Sequence, residues 1–303
     1  MKTHADIRKI AGRYNMLPNI LWTVVNLAPV YIFCCRHVQP LHFGIILSMK
    51  KRILPVLLLA VCTSFNTTRP PKFRVLVLAE AGGHHIRFTE AATVWLNKLA
   101  ADSGFTVDYI QHTTPIHTNF LRQYRLFIQL DYPPYGWTKA AAEAFEAYIT
   151  TGKGGWIGFH HATLLGEFDG YPMWPWFSRF MGNIRFKDYI AEFASGRVVV
   201  EDQQHPVMRG LPGTFVIEKE EWYTYNRSPR PDVQVIASVD ESSYRPDSHK
   251  KMGDHPVIWS NPHVKARNVY IFMGHSPGLF DNVHYKMLFR NAVAWAAGED
   301  NAP

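Results

Sequence analysis

Gly152-Lys153-Gly154-Gly155-Trp156-Ile157-Gly158-Phe159-His160-His161-Ala162 is the stretch whose reading decides the fold. Gly152 stops an apolar helical pattern, as a residue that enters the left-handed conformation at no steric cost does. Trp156, Ile157 and Phe159 then make a short apolar run suited to a strand buried on both faces. The run ends in two histidines. Ligands of an open parallel sheet bind outside the carboxyl ends of its strands, so His160 and His161 are aimed at the site such a fold would carry. Each also has a plainer reading, a hydrogen bond to nearby backbone.

Working outward, the same alternation recurs. Val75 to Ala79 reads as a strand, Phe88 to Ala101 as a helix stopped by Gly104, and Phe105 to Ile110 as a strand. Leu126 to Leu130 is another strand, and Thr138 caps a helix whose apolar face runs through Ala141, Phe145, Tyr148 and Ile149. Later strands are expected at Arg197 to Glu201, Thr214 to Ile217, Val233 to Val239, Val257 to Ser260 and Val269 to Met273. The polar excursion Asp240 to His255 reads as a loop, and a last helix runs from about Asn282 to Ala297. Strands alternating with helices predict an α/β fold with a doubly wound, mostly parallel sheet. No internal repeat or second domain boundary follows Pro70, so 70–303 is read as one domain.

The formal charge of +7 sits ahead of that domain. Residues 1–48 and 49–69 each carry +4, and the remainder carries −1, so a nucleic-acid partner has no electrostatic support. Cys34, Cys35 and Cys62 also precede the domain, which leaves it without a disulfide, a thiolate ligand or a thiol nucleophile. Residues 1–48 read as an upstream extension, with a weak apolar helix broken by Pro18, Asn19, Asn26 and Pro29. Met49 to Ser64 has the charged start, apolar core and small-residue end of a secretory leader. Leu59-Ala60-Val61-Cys62 resembles a lipobox, with Cys62 as the lipid anchor. Residues 49–69 are therefore expected to be a signal peptide or lipoprotein leader plus linker, and the protein to be exported, periplasmic or membrane-anchored.

Chemistry gathers at the strand ends. Glu80, His84 and His85 follow one strand, His112 another, Asp131 another, His160 and His161 the central one, and His275 a late one. On one rim they converge. A nucleophile elbow would need Ser or Cys where Gly158-Phe159-His160-His161-Ala162 has histidine, and no glycine-rich segment has the Lys-Ser/Thr of a phosphate loop. Metal-free acid–base catalysis by His and Glu fits, with no cofactor, and a divalent metal is the alternative. Glu218-Lys219-Glu220-Glu221-Trp222-Tyr223 offers either an acid or base beside aromatics, or a solvated acidic edge. Trp174, Trp176 and Phe177 offer either a surface for a sugar ring or lid packing.

The Gly152–Ala162 run resembles the central motif of the ThuA-like (trehalose-utilisation) family. So do His205-Pro206-Val207-Met208-Arg209-Gly210-Leu211-Pro212, Glu220-Glu221-Trp222-Tyr223 and Gly274-His275-Ser276-Pro277 leading to Asn291 through Gly298. The resemblance spans about Phe73 to Gly298. It implies a class I glutamine amidotransferase-like, flavodoxin-like fold without the amidotransferase cysteine, and a role in sugar catabolism beside oxidoreductases that make 3-keto-glycosides. By motif, the implied catalytic residues are His160, Glu221, His275 and Tyr223, with His84 or His85 and Asp131 as substrate contacts. The strand-end reading adds His161 and the aromatic patch adds Trp174 as further substrate contacts. Lys187-Asp188-Tyr189 stands where many members carry His-Pro. The expected activity is isomerisation or cleavage of a glycoside or 3-keto-glycoside, with a small-molecule carbohydrate as partner. A non-catalytic carbohydrate binder and a metal-dependent hydrolase are the alternatives.

Overall fold

The structure, a computed structural model, describes residues 70–299 apart from 81 and 191. The expectations for the upstream extension, the leader and Cys62 lie outside the described residues.

β4 (Gly155–Phe159) is the centre of the molecule, and all its residues are buried. Its alternation sends Trp156 to one face and Phe159 to the other. Trp156 packs against Phe145 of α3 (Lys139–Thr150) and Phe177 and Phe180 of α4 (Pro175–Phe180). Phe159 packs against Phe88 of α1 (Ile86–Ser103) and Phe289 of α5 (Val283–Ala296). Helices therefore cover both faces of the sheet. Gly158 is required for this packing, because a Cβ there would lie 2.1 Å from the indole of Trp156. Truncating a fully buried Trp of this kind costs roughly 3–5 kcal/mol.

The nine-stranded sheet has the order β2-β1-β3-β4-β11-β10-β9-β6-β7. β1 (Arg74–Ala79), β2 (Thr106–Ile110), β3 (Leu126–Leu130), β4 and β11 (Asn268–Ile271) are parallel, in the 2-1-3-4-5 arrangement of flavodoxin-like folds. The doubly wound, mostly parallel sheet read from the sequence is present. Antiparallel strands extend it: β10 (Pro256–Ser260), β9 (Gln234–Arg245), β6 (Ala194–Val200) and β7 (Thr214–Glu220). β5 (Phe186–Tyr189) and β8 (Tyr223–Tyr225) pair apart from it. Short α2 (Thr118–Leu121) precedes β3.

Local signals behave as expected. Thr138 Oγ accepts from the Ala141 N–H at 3.1 Å and starts α3, and Gly152 closes it at φ 68°. One reading is corrected. Asp240 to Arg245 is strand, because it continues β9 and pairs with β6 through Arg197–Asp240 and Ser195–Arg245. Its polar residues disguise a period-two run in which Ala237, Val239 and Glu241 are buried, and a register shift against β6 then buries Tyr244 out of step with them.

Chain order and strand order together place the site. β1 connects through α1 to β2 on one side and the chain then returns to β3 on the other, so a crevice opens beyond the ends of β1 and β3.

Candidate active site

β3 and β4 both end on a non-glycine residue in the left-handed region, Asp131 at φ 52° and His160 at φ 32°. Such strain costs on the order of 1–3 kcal/mol per residue and persists where surrounding contacts fix it. The contacts are present. Asp131 Oδ1 accepts from the His161 N–H at 3.2 Å. The His160 carbonyl accepts from Thr163 Oγ1 at 2.9 Å and from the Tyr270 hydroxyl at 3.1 Å. The turn has the shape of a nucleophile elbow but carries histidine at its apex.

Around it the predicted residues assemble. His160 is fully buried; its Nδ1 faces the Phe272 carbonyl at 3.1 Å and its Nε2 faces Glu221 Oε2 at 3.2 Å. His275 Nδ1 is 3.5 Å from the same Glu221 oxygen and 2.6 Å from His85 Nε2. His85 Nδ1 lies 3.3 Å from Asp131 Oδ2, within ion-pair distance, and neither atom has a hydrogen-bond partner. The His161 ring packs edge-on against His85, and its Nδ1 meets Glu80 Oε2 at 3.1 Å and Asp131 Oδ1 at 3.5 Å. The ring of Tyr223 lies 4.3 Å from that of His160.

The electrostatics follow from burial and partners. Burial pushes the His160 imidazole down to about 4, with Glu221 opposing, and drives His85 far down with the help of the other histidines. Burial would lower His161 too, but Asp131 and Glu80 outweigh it and raise this imidazole to about 9. Burial lifts the Asp131 carboxyl to about 7, with His161 opposing. Burial works against ionised Glu221, but hydrogen bonds with His160 and His275 hold it below the usual carboxylate range. Burial, with Glu221, keeps the Tyr223 phenol well above its ordinary value and so protonated.

Two expected substrate contacts are not brought in. His84 is exposed and stays outside the cluster, as does His112 beyond edge strand β2. Trp174 is packed on Trp137, Phe145, Trp176 and Phe177, in the aromatic layer against one face of the sheet. The exposed aromatics near the cluster are others. Phe193, 42% exposed, lies 4.6 Å from the His275 ring. Tyr171, 49% exposed, stacks with Tyr135, which feels the Glu80 carboxylate. Glu220 was also invisible as an individual. It is fully buried, and its Oε1 accepts from the N–H groups of His275 and Glu221 at 2.9 and 3.2 Å. Alternation along β7 gave no signal for it. Phe215 and Ile217 turn inward, but the strand breaks step at Lys219, which has φ 50°, and so buries Glu220 where strict alternation would bury Lys219.

A strained histidine elbow at the switch point of a flavodoxin-like sheet, with no cysteine after residue 62, defines a class I glutamine amidotransferase-like fold that carries no thiol at the elbow. The model of the ThuA family, described as trehalose utilisation, matches residues 74–296, and the chain belongs to that family. A ThuA-like protein from Bacteroides uniformis is 32% identical, with 75% of this chain and 92% of that one covered and a TM-score of 0.68. A ThuA-like protein from Parabacteroides merdae shares the fold at 18% identity and a TM-score of 0.57, over 75% of this chain and 90% of that one. No protein of curated function matches the chain. Membership supports a sugar-related role.

Proposed function

We propose that this protein is an enzyme that moves a proton on a glycoside or 3-keto-glycoside and thereby isomerises or cleaves it. One observation carries the reading: His161 is held between Glu80 and Asp131 at the mouth of a cluster that also contains His160, Glu221 and His275. A 3-keto-sugar has an acidified C–H beside its carbonyl. Removing that proton needs a base, and the resulting enediolate needs a donor.

His160 is among the catalytic residues that the resemblance implies, but its ring is buried with both nitrogens engaged, which leaves no free nitrogen to act as the base. We assign the base role to Glu80, whose side chain is 27% exposed, and the donor role to the His161 imidazolium. Tyr171 and Phe193 supply the aromatic surfaces against which a sugar ring packs. The leader-like segment Met49 to Ser64 supports export, with Cys62 as a lipid attachment point; sequencing the mature N-terminus tests this, and retention of Met49 refutes it. The activity is tested by incubating the full-length protein with trehalose, other disaccharides and their 3-keto forms, and following products. Conversion of at least one sugar is expected. Binding without conversion would make the protein a carbohydrate binder.

A further inference from the structure

We propose that His85, His160, Glu221 and His275 bind a divalent transition-metal ion, zinc being the best match to the donor set. The inference deepens the proposed sugar chemistry and rests on that reading only for what the ion would do.

The case begins with where protons can be. A neutral imidazole carries one N–H and one lone pair. Both partners of His160, the Phe272 carbonyl at 3.1 Å and the Glu221 carboxylate at 3.2 Å, are acceptors. A neutral ring with one N–H therefore leaves a lone pair against one of them. A cation at Nε2 lets the proton sit on Nδ1 toward the carbonyl. The Asp131 carboxylate, 3.3 Å from His85 Nδ1, draws the His85 proton to that nitrogen, and His85 Nε2 then meets His275 Nδ1 at 2.6 Å. The His275 Nδ1–H can donate to His85 Nε2, so the contact left without a proton inside the buried cluster is the one at His160. A cation among the four ligands relieves that contact and takes the place of the proton between His85 and His275.

The spacing agrees. One ligand atom from each of the four residues lies within 4.8 Å of the rest. Metal–ligand bonds of about 2.0–2.1 Å in a tetrahedral site imply ligand–ligand edges of about 3.3 Å, and the measured contacts of 2.6, 3.2 and 3.5 Å bracket that value. The outer partners are also in place: a carboxylate behind His85 and a backbone carbonyl behind His160, which is how metal-binding imidazoles are oriented. Three imidazoles and a carboxylate suit zinc among first-row ions. The neighbouring group of Glu80, His85, Asp131 and His161 is a poorer host, because Glu80 and Asp131 already accept from His161. Four protein ligands fill a tetrahedral site, so the ion would supply Lewis acidity to a sugar carbonyl or alkoxide only by expanding to a fifth ligand, as catalytic zinc sites do.

The test measures metal directly on the purified full-length chain. It is stripped with chelator, loaded with Zn²⁺ or Co²⁺, dialysed, and analysed for bound metal and for the visible absorption of tetrahedral Co²⁺. One ion per chain and a tetrahedral spectrum are expected. Glu221→Gln and His275→Ala should weaken Zn²⁺ by more than the roughly 10–100-fold that losing an outer partner costs, with Asp131→Asn falling inside that range. Glu80→Gln should keep the ion. Circular dichroism on each variant separates lost ligation from lost folding. No retained ion in the folded wild type overturns the proposal, as does loss in Glu80→Gln with retention in Glu221→Gln. Because no sugar is present, these outcomes are independent of the proposed activity: no retained ion overturns the metal site and leaves the activity standing, and metal bound by a protein that converts no sugar overturns the activity alone.

Discussion

The buried carboxylate of Glu220 accepts the backbone N–H of His275 at 2.9 Å, and so ties the end of β7 to the loop that presents a site histidine. The same Oε1 accepts the Glu221 N–H, while Oε2 accepts that of Ser276 at 3.4 Å. A Gln in its place can keep the first two bonds but turns an amide toward the third. Glu220→Ala leaves all three donors without this partner, and a buried unsatisfied group costs about 1–3 kcal/mol. Urea unfolding should show Glu220→Ala well below wild type and Glu220→Gln between them. Equal midpoints for all three would remove Glu220 as the anchor.

Gly274 is a second fixed point. A Cβ there would lie 2.9 Å from the His160 Cβ and 3.3 Å from that of Phe159. Both neighbours sit at the strained end of β4, so relief must come from moving the histidine elbow. Gly274→Ala is expected to lose about 1–3 kcal/mol, the usual cost of overpacking, and to lose activity at temperatures where it remains folded. A variant with unchanged thermal midpoint and turnover would show that the elbow can yield.

Much of this arrangement was legible beforehand. The parallel half announced itself through short apolar runs ended by His160, Asp131 and His275, because strands buried on both faces hold few polar residues before the rim. Gln129 in β3 is buried with its amide bonded to the Tyr132 carbonyl and the Trp156 indole. The antiparallel half was harder to see. Asp240 to Arg245 looked like a loop because only one of its faces is buried, and its inward Glu241 is a charge satisfied by partners distant in sequence. Trp174 showed the converse limit, since composition does not say which side of a sheet an aromatic covers. Nor could spacing reveal that His160 would have both nitrogens occupied.

Glu241 yields a prediction in pH. Its carboxylate accepts from the Met252 and Gly253 N–H groups, each at 2.7 Å, and meets His255 Nδ1 at 2.9 Å. Burial opposes its charge, but these bonds prevail and hold it below the usual carboxylate value. A depressed folded pKa adds stability that is fully present above the unfolded value of about 4.3 and fades as pH falls through the folded one. Glu241→Gln should be destabilised at pH 7 by about 1.5–3 kcal/mol, the range for hydrogen bonds to charged groups. The gap to wild type should narrow on acidification. A gap that stays constant from pH 7 to pH 3 would contradict the assignment.

The proposed proton-transfer pair makes a kinetic prediction. Glu80→Gln and His161→Ala should each lower kcat by roughly 10²–10⁴-fold, the usual worth of general acid–base groups, with KM changed little. Loss confined to KM would place both residues in binding.

The central claim is that the reaction begins by taking a proton from the carbon beside a sugar carbonyl. It is tested most directly with a 3-keto-glycoside deuterated at C2, turned over by the full-length protein in ordinary water, with product masses recorded. Product that has lost the C2 deuterium, formed more slowly than from unlabelled substrate and far more slowly by Glu80→Gln, is the predicted result. Product formed at the unlabelled rate with the deuterium still in place would contradict it.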